Sequence, residues 1–145
     1  MSAMELPSVP ATEKLSHRAR LRTRWVDEDN QGVLNNAVYM TLFEEGRHDY
    51  FSRLGLLDGN RFPFLLAATN VRFLRPGRGG ETITLEMGTT ALGKSSFRQA
   101  YRVVDDAGAV WAEAEAVLVL YDPDTGASRP MSDEFRSKVA AHEGL

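Results

Sequence analysis

The hydrophobic period of this chain changes twice, and those changes limit what it can fold into. From Asn35 to about Leu54, Tyr39, Leu42, Phe43, Gly46, Tyr50 and Leu54 recur at steps of three and four, which places them on one side of a helix. On both flanks the apolar residues alternate with polar ones, the two-residue period of strands. One long helix set between a strand and a run of strands predicts an α+β domain. Its sheet should be mostly antiparallel, with about five strands, and the helix should bury its apolar side against it.

The stretch "HRARLRTRWV" predicts the first strand. Ala19, Leu21, Thr23 and Trp25 point one way. Arg18, Arg20, Arg22 and Arg24 point the other, as a solvated face or as partners for acids on a neighbouring strand. On the helix, Glu44, Glu45, Arg47 and Asp49 fall on the polar side. Gly46 lies on the apolar side and costs about 1 kcal/mol of helix propensity relative to alanine, so its use there implies a close approach of helix to sheet. "LGLLDGNRFP" ends the helix with turn residues.

Four further strands are expected in "LLAATNVRFLR", "ETITLEMG", "SSFRQAYRVV" and "AVWAEAEAVLVLYD", with turns at "PGRGG" and "DDAG". Read as consecutive hairpins, they bring Arg98 near Glu115. Ala112, Ala114, Ala116, Leu118 and Leu120 then form an opposite face with room for a helix. "MSDEFRSKVAAHEG" reads as a short closing helix with Ser132 as N-cap. Residues 1–15 are expected to be a flexible lead-in and residues 16–145 a single domain.

A chain of 145 residues can bury roughly 70% of its unfolded surface without a metal or disulfide staple. It has no cysteine, which removes thiol catalysis and cysteine-based zinc sites and is compatible with a reducing compartment. A net charge of −3 disfavours a nucleic-acid partner. No apolar run reaches the ~18 residues of a membrane span, and the N-terminal residues lack the apolar centre of a signal peptide. A cytoplasmic location is the expectation, with no cofactor and no metal.

The segment "WVDEDNQGVLNNAVYM", residues 25–40, joins the first strand to the long helix. Gly32 permits a sharp turn, and Asn35 or Asn36 can cap the helix. The unpaired N–H groups of a helix N-terminus can polarise a carbonyl oxygen. A carboxylate facing them, from Asp27 or Asp29, can then attack the carbon or activate water. Loop solvation by the acids and plain capping by the asparagines is the other reading. A calcium loop is excluded, because apolar Val33 and Leu34 follow Gly32 and no glutamate stands at the twelfth position.

"RTRWVDEDNQGVLNNAVYMTLFEEGR" resembles the opening signature of hotdog-fold acyl-CoA thioesterases of the 4-hydroxybenzoyl-CoA thioesterase family. Trp25, Asp27, Asp29, Gly32, Asn35, Asn36, Tyr39 and Glu44 stand in that family's spacing. "VRFLRPGRGGETITLEM" and "LGKSSFRQAYRV" look like its later strands. The resemblance implies Asp29 as catalytic carboxylate, the Asn36 N–H as the donor to the thioester carbonyl, and Glu44 on the helix as the rival carboxylate. Arg47 and His48 offer Glu44 an ordinary surface pairing. It further implies that Asp27, Gly32, Asn35 and Tyr39 shape the substrate site and that Lys94 with Ser95 holds coenzyme A phosphates. Arg75 and Arg78 are weaker candidates for the phosphates. Val33 stands where many members carry histidine. His17 and His142 lack any motif and are expected at the surface.

The activity so implied is hydrolysis of an acyl-CoA thioester. A non-catalytic acyl-thioester-binding protein and a hydroxyacyl-thioester dehydratase are the alternatives, although the dehydratase's histidine motif is missing. A single sheet on one helix leaves an edge strand to cover, and the resemblance implies a homodimer or homotetramer. In such an assembly the catalytic loop would lie beside Ala68, Thr69 and Asn70 of a partner.

Overall fold

In the computed structural model, which describes residues 15–145, the chain runs β1 (His17–Arg22), a 3-10 turn (Trp25–Asp27) and α1 (Asn36–Leu54). There follow β2 (Phe64–Phe73), β3 (Thr82–Leu92), β4 (Ser96–Asp105), β5 (Val110–Leu120) and α2 (Asp133–Glu143). The lead-in expected over residues 1–15 lies outside the described residues, apart from Leu15, which is buried. One long helix on a five-stranded antiparallel sheet is the hotdog arrangement that the resemblance implied.

The strand order is β1-β3-β4-β5-β2, and every neighbouring pair is antiparallel. β3, β4 and β5 form the expected hairpins, with the β4–β5 turn at Asp105–Gly108. β2 does not follow suit: it pairs with β5 at the far edge, register Phe64↔Leu120 to Phe73↔Ala112. The β2–β3 link is too long for a tight hairpin and is anchored instead across the end of the sheet. Leu74 N donates to the Trp111 carbonyl at 2.8 Å, Leu34 N to that of Gly77 at 2.9 Å, and Gly80 N to that of Thr23 at 2.9 Å. This crossing segment passes beside the start of α1.

Asn35 caps α1, its side chain accepting from Ala37 N at 3.0 Å. Gly55 ends the helix in the left-handed conformation at φ 70°. Tyr39, Leu42, Phe43, Tyr50 and Phe51 are buried against the sheet. A Cβ at Gly46 would run into the Leu85 side chain, so the close approach implied by that glycine is real. Ala112, Ala114 and Ala116 are fully buried beneath the helix layer. At the other end of α1, Phe51, Phe64, Phe97 and Phe135 form one aromatic cluster, which docks α2 through its buried face. Ser132 caps α2 by accepting from Phe135 N at 3.1 Å.

Three sequence expectations are corrected. The strand stops at Arg22, and Trp25 sits in the 3-10 turn with 80% of its surface exposed; the turn frees it from the inward face that Ala19 and Thr23 keep. Arg47 is buried, because its Nη1 donates to Tyr101 Oη at 3.0 Å beneath the helix. His17 is also buried; its Nε2 lies 2.8 Å from Asp49 Oδ2, and its ring packs edge-on against Tyr50. The arginine face of β1 behaves as read, with Arg18–Glu86 at 3.4 Å and Arg20–Asp106 at 2.7 Å. Arg98 reaches Glu115 at 2.8 Å.

Candidate active site

The residues between the 3-10 turn and α1 form a tight reversal. Glu28 and Leu34 make an antiparallel bridge, Asp29 N donates to the Val33 carbonyl at 2.8 Å, and Asn35 N to the Asp27 carbonyl at 2.9 Å. Gly32 takes φ 73° at the tip, a conformation that costs glycine no steric strain. The crossing segment braces this loop. Glu28 Oε2 accepts from Gly79 N at 2.9 Å, and Arg78 Nη1 donates to the Gly32 carbonyl at 2.7 Å.

The two aspartates have different surroundings. Asp27 is only 6% exposed. It accepts from the Arg24 backbone N at 2.8 Å and from Arg24 Nη2 at 2.8 Å. The Arg24 guanidinium holds its carboxyl below the usual carboxylate range. A carboxylate so committed shapes the loop. Asp29 is half-buried. One oxygen, Oδ1, accepts from Gln31 N at 2.8 Å and from Val33 N at 3.5 Å; Oδ2 has no hydrogen-bond partner among the described residues. Asp29 is therefore oriented by the loop and still has an oxygen available for chemistry.

At the start of α1, a pocket of about 290 Å³ opens between the loop and the end of β2, lined by Val33, Leu34, Asn36, Tyr39, Phe73 and Leu74 among others. The Asn36 N–H is the first of the helix and has no acceptor among the described residues, as expected at a helix start. Tyr39 forms an inner wall of the pocket, and Arg75 lies at its edge.

A single chain unites only part of the expected site. Asn36 and Tyr39 share the helix-start pocket, and Asn35 and Gly32 shape its loop. Asp29 and Glu44 do not line it. Glu44 is exposed and lines a separate pocket with Glu45, His48, Arg61 and Phe62. Its expected pairings are not formed, because Arg47 turns to Tyr101 and His48 lies 2.8 Å from Asn60 Oδ1. Thr69 and Asn70 line a third pocket on the edge strand, with Arg98 and Glu115. Lys94 and Ser95 lie in the β3–β4 turn, where the Lys94 carbonyl accepts from Met131 N at 2.8 Å. Of the pocket walls from Phe73 to Gly77, only Arg75 was among the sequence candidates; the signal for the others was the long "LRPGRGG" link, too long for a hairpin.

Among the described residues, no helix is long and apolar enough to cross a membrane, and no group of three His, Cys, Asp or Glu side chains is placed to hold a metal ion.

The chain resembles known proteins over most of its length. It is 31% identical to a thioesterase of Thermus thermophilus solved with coenzyme A and zinc, covering 92% of this chain and 99% of that one at a TM-score of 0.81. A putative thioesterase of Pseudomonas aeruginosa is 27% identical, with 88% of this chain and 100% of that one covered and a TM-score of 0.77. Among curated proteins, the acyl-CoA thioester hydrolase YbgC of Escherichia coli is 26% identical over 71% of this chain and 80% of its own length. The model of the thioesterase-like superfamily matches residues 22–139, which takes in the loop, α1 and strands β2 to β5 and omits nearly all of β1, and the chain belongs to that superfamily.

Proposed function

We propose that this protein hydrolyses acyl-CoA thioesters to the free acid and coenzyme A. The observation that carries this reading is the loop into α1, which holds an oriented carboxylate with an open oxygen, Asp29, and leads to the unpartnered N–H of Asn36 at the helix start. The acyl-CoA thioester hydrolase and the coenzyme A-bound thioesterase among its relatives support it.

In this mechanism the Asn36 N–H, at the positive end of α1, stabilises negative charge developing on the thioester oxygen. Asp29 acts as nucleophile or as general base. As a base, it takes a proton from water while the water oxygen bonds to the acyl carbon. The carbon–sulfur bond then breaks, and the thiolate leaves with a proton. As a nucleophile, its carboxylate oxygen bonds to the acyl carbon, the carbon–sulfur bond breaks and the thiolate leaves with a proton, and water then opens the acyl anhydride.

The working unit is a homodimer or a dimer of dimers, joined along β2. Leu66 and Phe73 pair with the buried Leu118 and Ala112 and so point to the inner face of the sheet, yet they are 42% and 45% exposed. A second copy running antiparallel along this edge covers them and brings its own Thr69 and Asn70 toward the loop.

The test is release of free thiol from a panel of acyl-CoAs, read with a thiol reagent. The absence of cysteine removes background from the protein. Release from at least one member is expected. Binding of acyl-CoA with no release from any member would make the protein a non-catalytic carrier.

A further inference from the structure

Three successive residues of the segment that crosses from β2 to β3 grip the loop on both sides of Asp29. The Gly77 carbonyl accepts from Leu34 N at 2.9 Å, Arg78 Nη1 donates to the Gly32 carbonyl at 2.7 Å, and Gly79 N donates to Glu28 Oε2 at 2.9 Å. Asp29 lies between these grips, and its own bonds stay inside the loop. Its N–H donates to the Val33 carbonyl at 2.8 Å, its carbonyl accepts from Gly32 N at 3.1 Å, and Oδ1 accepts from Gln31 N at 2.8 Å. Where Gly32 and Val33 sit therefore decides where the open oxygen Oδ2 points.

The gripping segment is itself anchored to the sheet. Buried Thr23 donates through Oγ1 to the Arg78 carbonyl at 2.7 Å. Its own carbonyl accepts from Gly80 N at 2.9 Å, and its N–H donates to the Glu81 carbonyl at 2.8 Å. The Arg78 backbone is thus fixed, and its side chain carries that position to Gly32. Glycine at 79 lets the two segments approach: a Cβ there would run into the Arg24 carbonyl oxygen and come 3.1 Å from Glu28 Cγ.

We infer that Glu28 and Arg78 are positioning residues, which hold the loop so that Asp29 keeps its open oxygen aimed for reaction. The inference rests on the thioesterase reading, with Asp29 as its carboxylate. Arg78 is exposed and Glu28 half-buried, so neither belongs to the core, and surface bonds of this kind contribute little to global stability. Their weight falls on geometry instead, where a displacement of about 1 Å can cost on the order of 10² in rate. Arg78 is then spent on the loop and not on coenzyme A phosphates.

The test uses single variants of the full-length chain. Glu28→Ala and Arg78→Ala are each expected to lower kcat by about 10- to 100-fold, with KM within about twofold of wild type. The loss should be equal on a short thioester lacking the nucleotide, and Tm should move little. Glu28→Gln keeps an acceptor for Gly79 N and should recover most of the rate. If Glu28→Ala fails to fold, Arg78→Ala and Glu28→Gln decide alone. A Glu28→Gln as slow as the truncations, an unchanged kcat in them, or a KM rise confined to the acyl-CoA overturns the inference and leaves the thioesterase reading standing. If no acyl-CoA is hydrolysed by the wild type, that reading falls, and hydrogen exchange of the Asp29 N–H decides on the grips. Protection lowered by about tenfold or more in both truncations and kept in Glu28→Gln supports them; equal protection in all of these chains overturns them.

Discussion

Asn36 and Lys94 stand at opposite ends of the same sheet. Asn36 opens α1 beside the end of β2, where Leu34 N meets the Gly77 carbonyl. Lys94 follows β3, in the turn leading to Phe97, which packs on Phe51 near the other end of the helix. α1 has 19 residues, so roughly 28 Å of helix lies between the two ends. On the proposed assembly, a Lys94 that holds the nucleotide of a thioester bound at Asn36 serves the site of another chain. An antiparallel junction along β2 brings one chain's Phe73 end beside its partner's Phe64 end, and with it the partner's Lys94 turn.

This arrangement makes a prediction by complementation. Lys94→Ala alone should raise KM for an acyl-CoA with little change in kcat, the signature of lost uniform binding. A short thioester lacking the nucleotide should be far less affected. When Lys94→Ala and Asp29→Asn chains are unfolded together and reassembled, random pairing leaves roughly one site in four with both native groups. Activity at low substrate should then exceed the average of the two parents. If Lys94 serves its own chain, every site keeps one defect and no such gain is seen.

Asp29→Asn keeps the loop's shape and removes the nucleophile or base. We expect a loss on the order of 10² to 10⁴ in kcat. Asp27→Asn should cost much less activity, because Asp27 is spent on Arg24. Full activity in Asp29→Asn, with loss in Glu44→Gln, would move the chemistry onto the helix.

The sequence made the architecture legible wherever period and turn chemistry acted locally. The long helix, its asparagine cap, the β4–β5 hairpin and the Gly46 approach could all be read that way. The placement of β2 at the far edge was not, because both arrangements satisfy the same alternation and only the link at Leu74–Gly77, hydrogen-bonded to Trp111 and Leu34, decides between them. Arg47 and His17 were misread for a related reason. A charged side chain is assigned to solvent until a distant partner is known, and Tyr101 and Asp49 lie 54 and 32 residues away. The candidate site was legible as a motif, while the separation of Glu44 and Asp29 from the pocket that Asn36 and Tyr39 line within one chain was not.

Asp27 also gives the loop a pH signature. Its folded pKa lies below the ordinary 3.8, chiefly through the Arg24 side chain. The stabilisation is therefore fully present above that ordinary value and is lost as pH falls through the lower folded one. Asp27→Asn should lower Tm by about 2–4 °C at pH 7, the size of about 1 kcal/mol in a chain of this length, since the Arg24 side of the pair is exposed. That difference from wild type should narrow below pH 3.8; a gap that stays constant down to acid unfolding would remove the ion pair from the explanation.

Gly46→Ala sets helix propensity against packing. Propensity alone favours alanine by about 1 kcal/mol. The new Cβ, however, meets the Leu85 side chain and lies 3.1 Å from Met87 Sδ, both in the fully buried face of β3. Overpacking of this kind costs about 1–3 kcal/mol, so the variant should be net destabilised in chemical denaturation. A more stable Gly46→Ala would show that α1 can lift from the sheet at no cost.

The last prediction concerns β2 as the assembly edge. β2 has ten residues, and along its free side no described strand accepts or donates a ladder bond. Leu65, Leu66 and Phe73 are all exposed on it. Soluble proteins blunt such edges with charge, proline or a covering element, and α2 is held instead at the aromatic cluster around Phe51 and Phe135. The surface is therefore one that self-pairing would satisfy, both in backbone hydrogen bonds and in apolar area. Light scattering coupled to size exclusion should give about 32 kDa or a multiple of it, since one chain is 16.1 kDa and two-fold pairing doubles it. Leu66→Glu places a charge on the inner face of that junction and should shift the protein toward monomer. If the site is shared, activity should fall with assembly, because the monomer would separate Asn36 from a partner's Lys94 turn. A monomer that hydrolyses acyl-CoA with an unaltered KM would overturn the shared site and return Lys94 to the solvent.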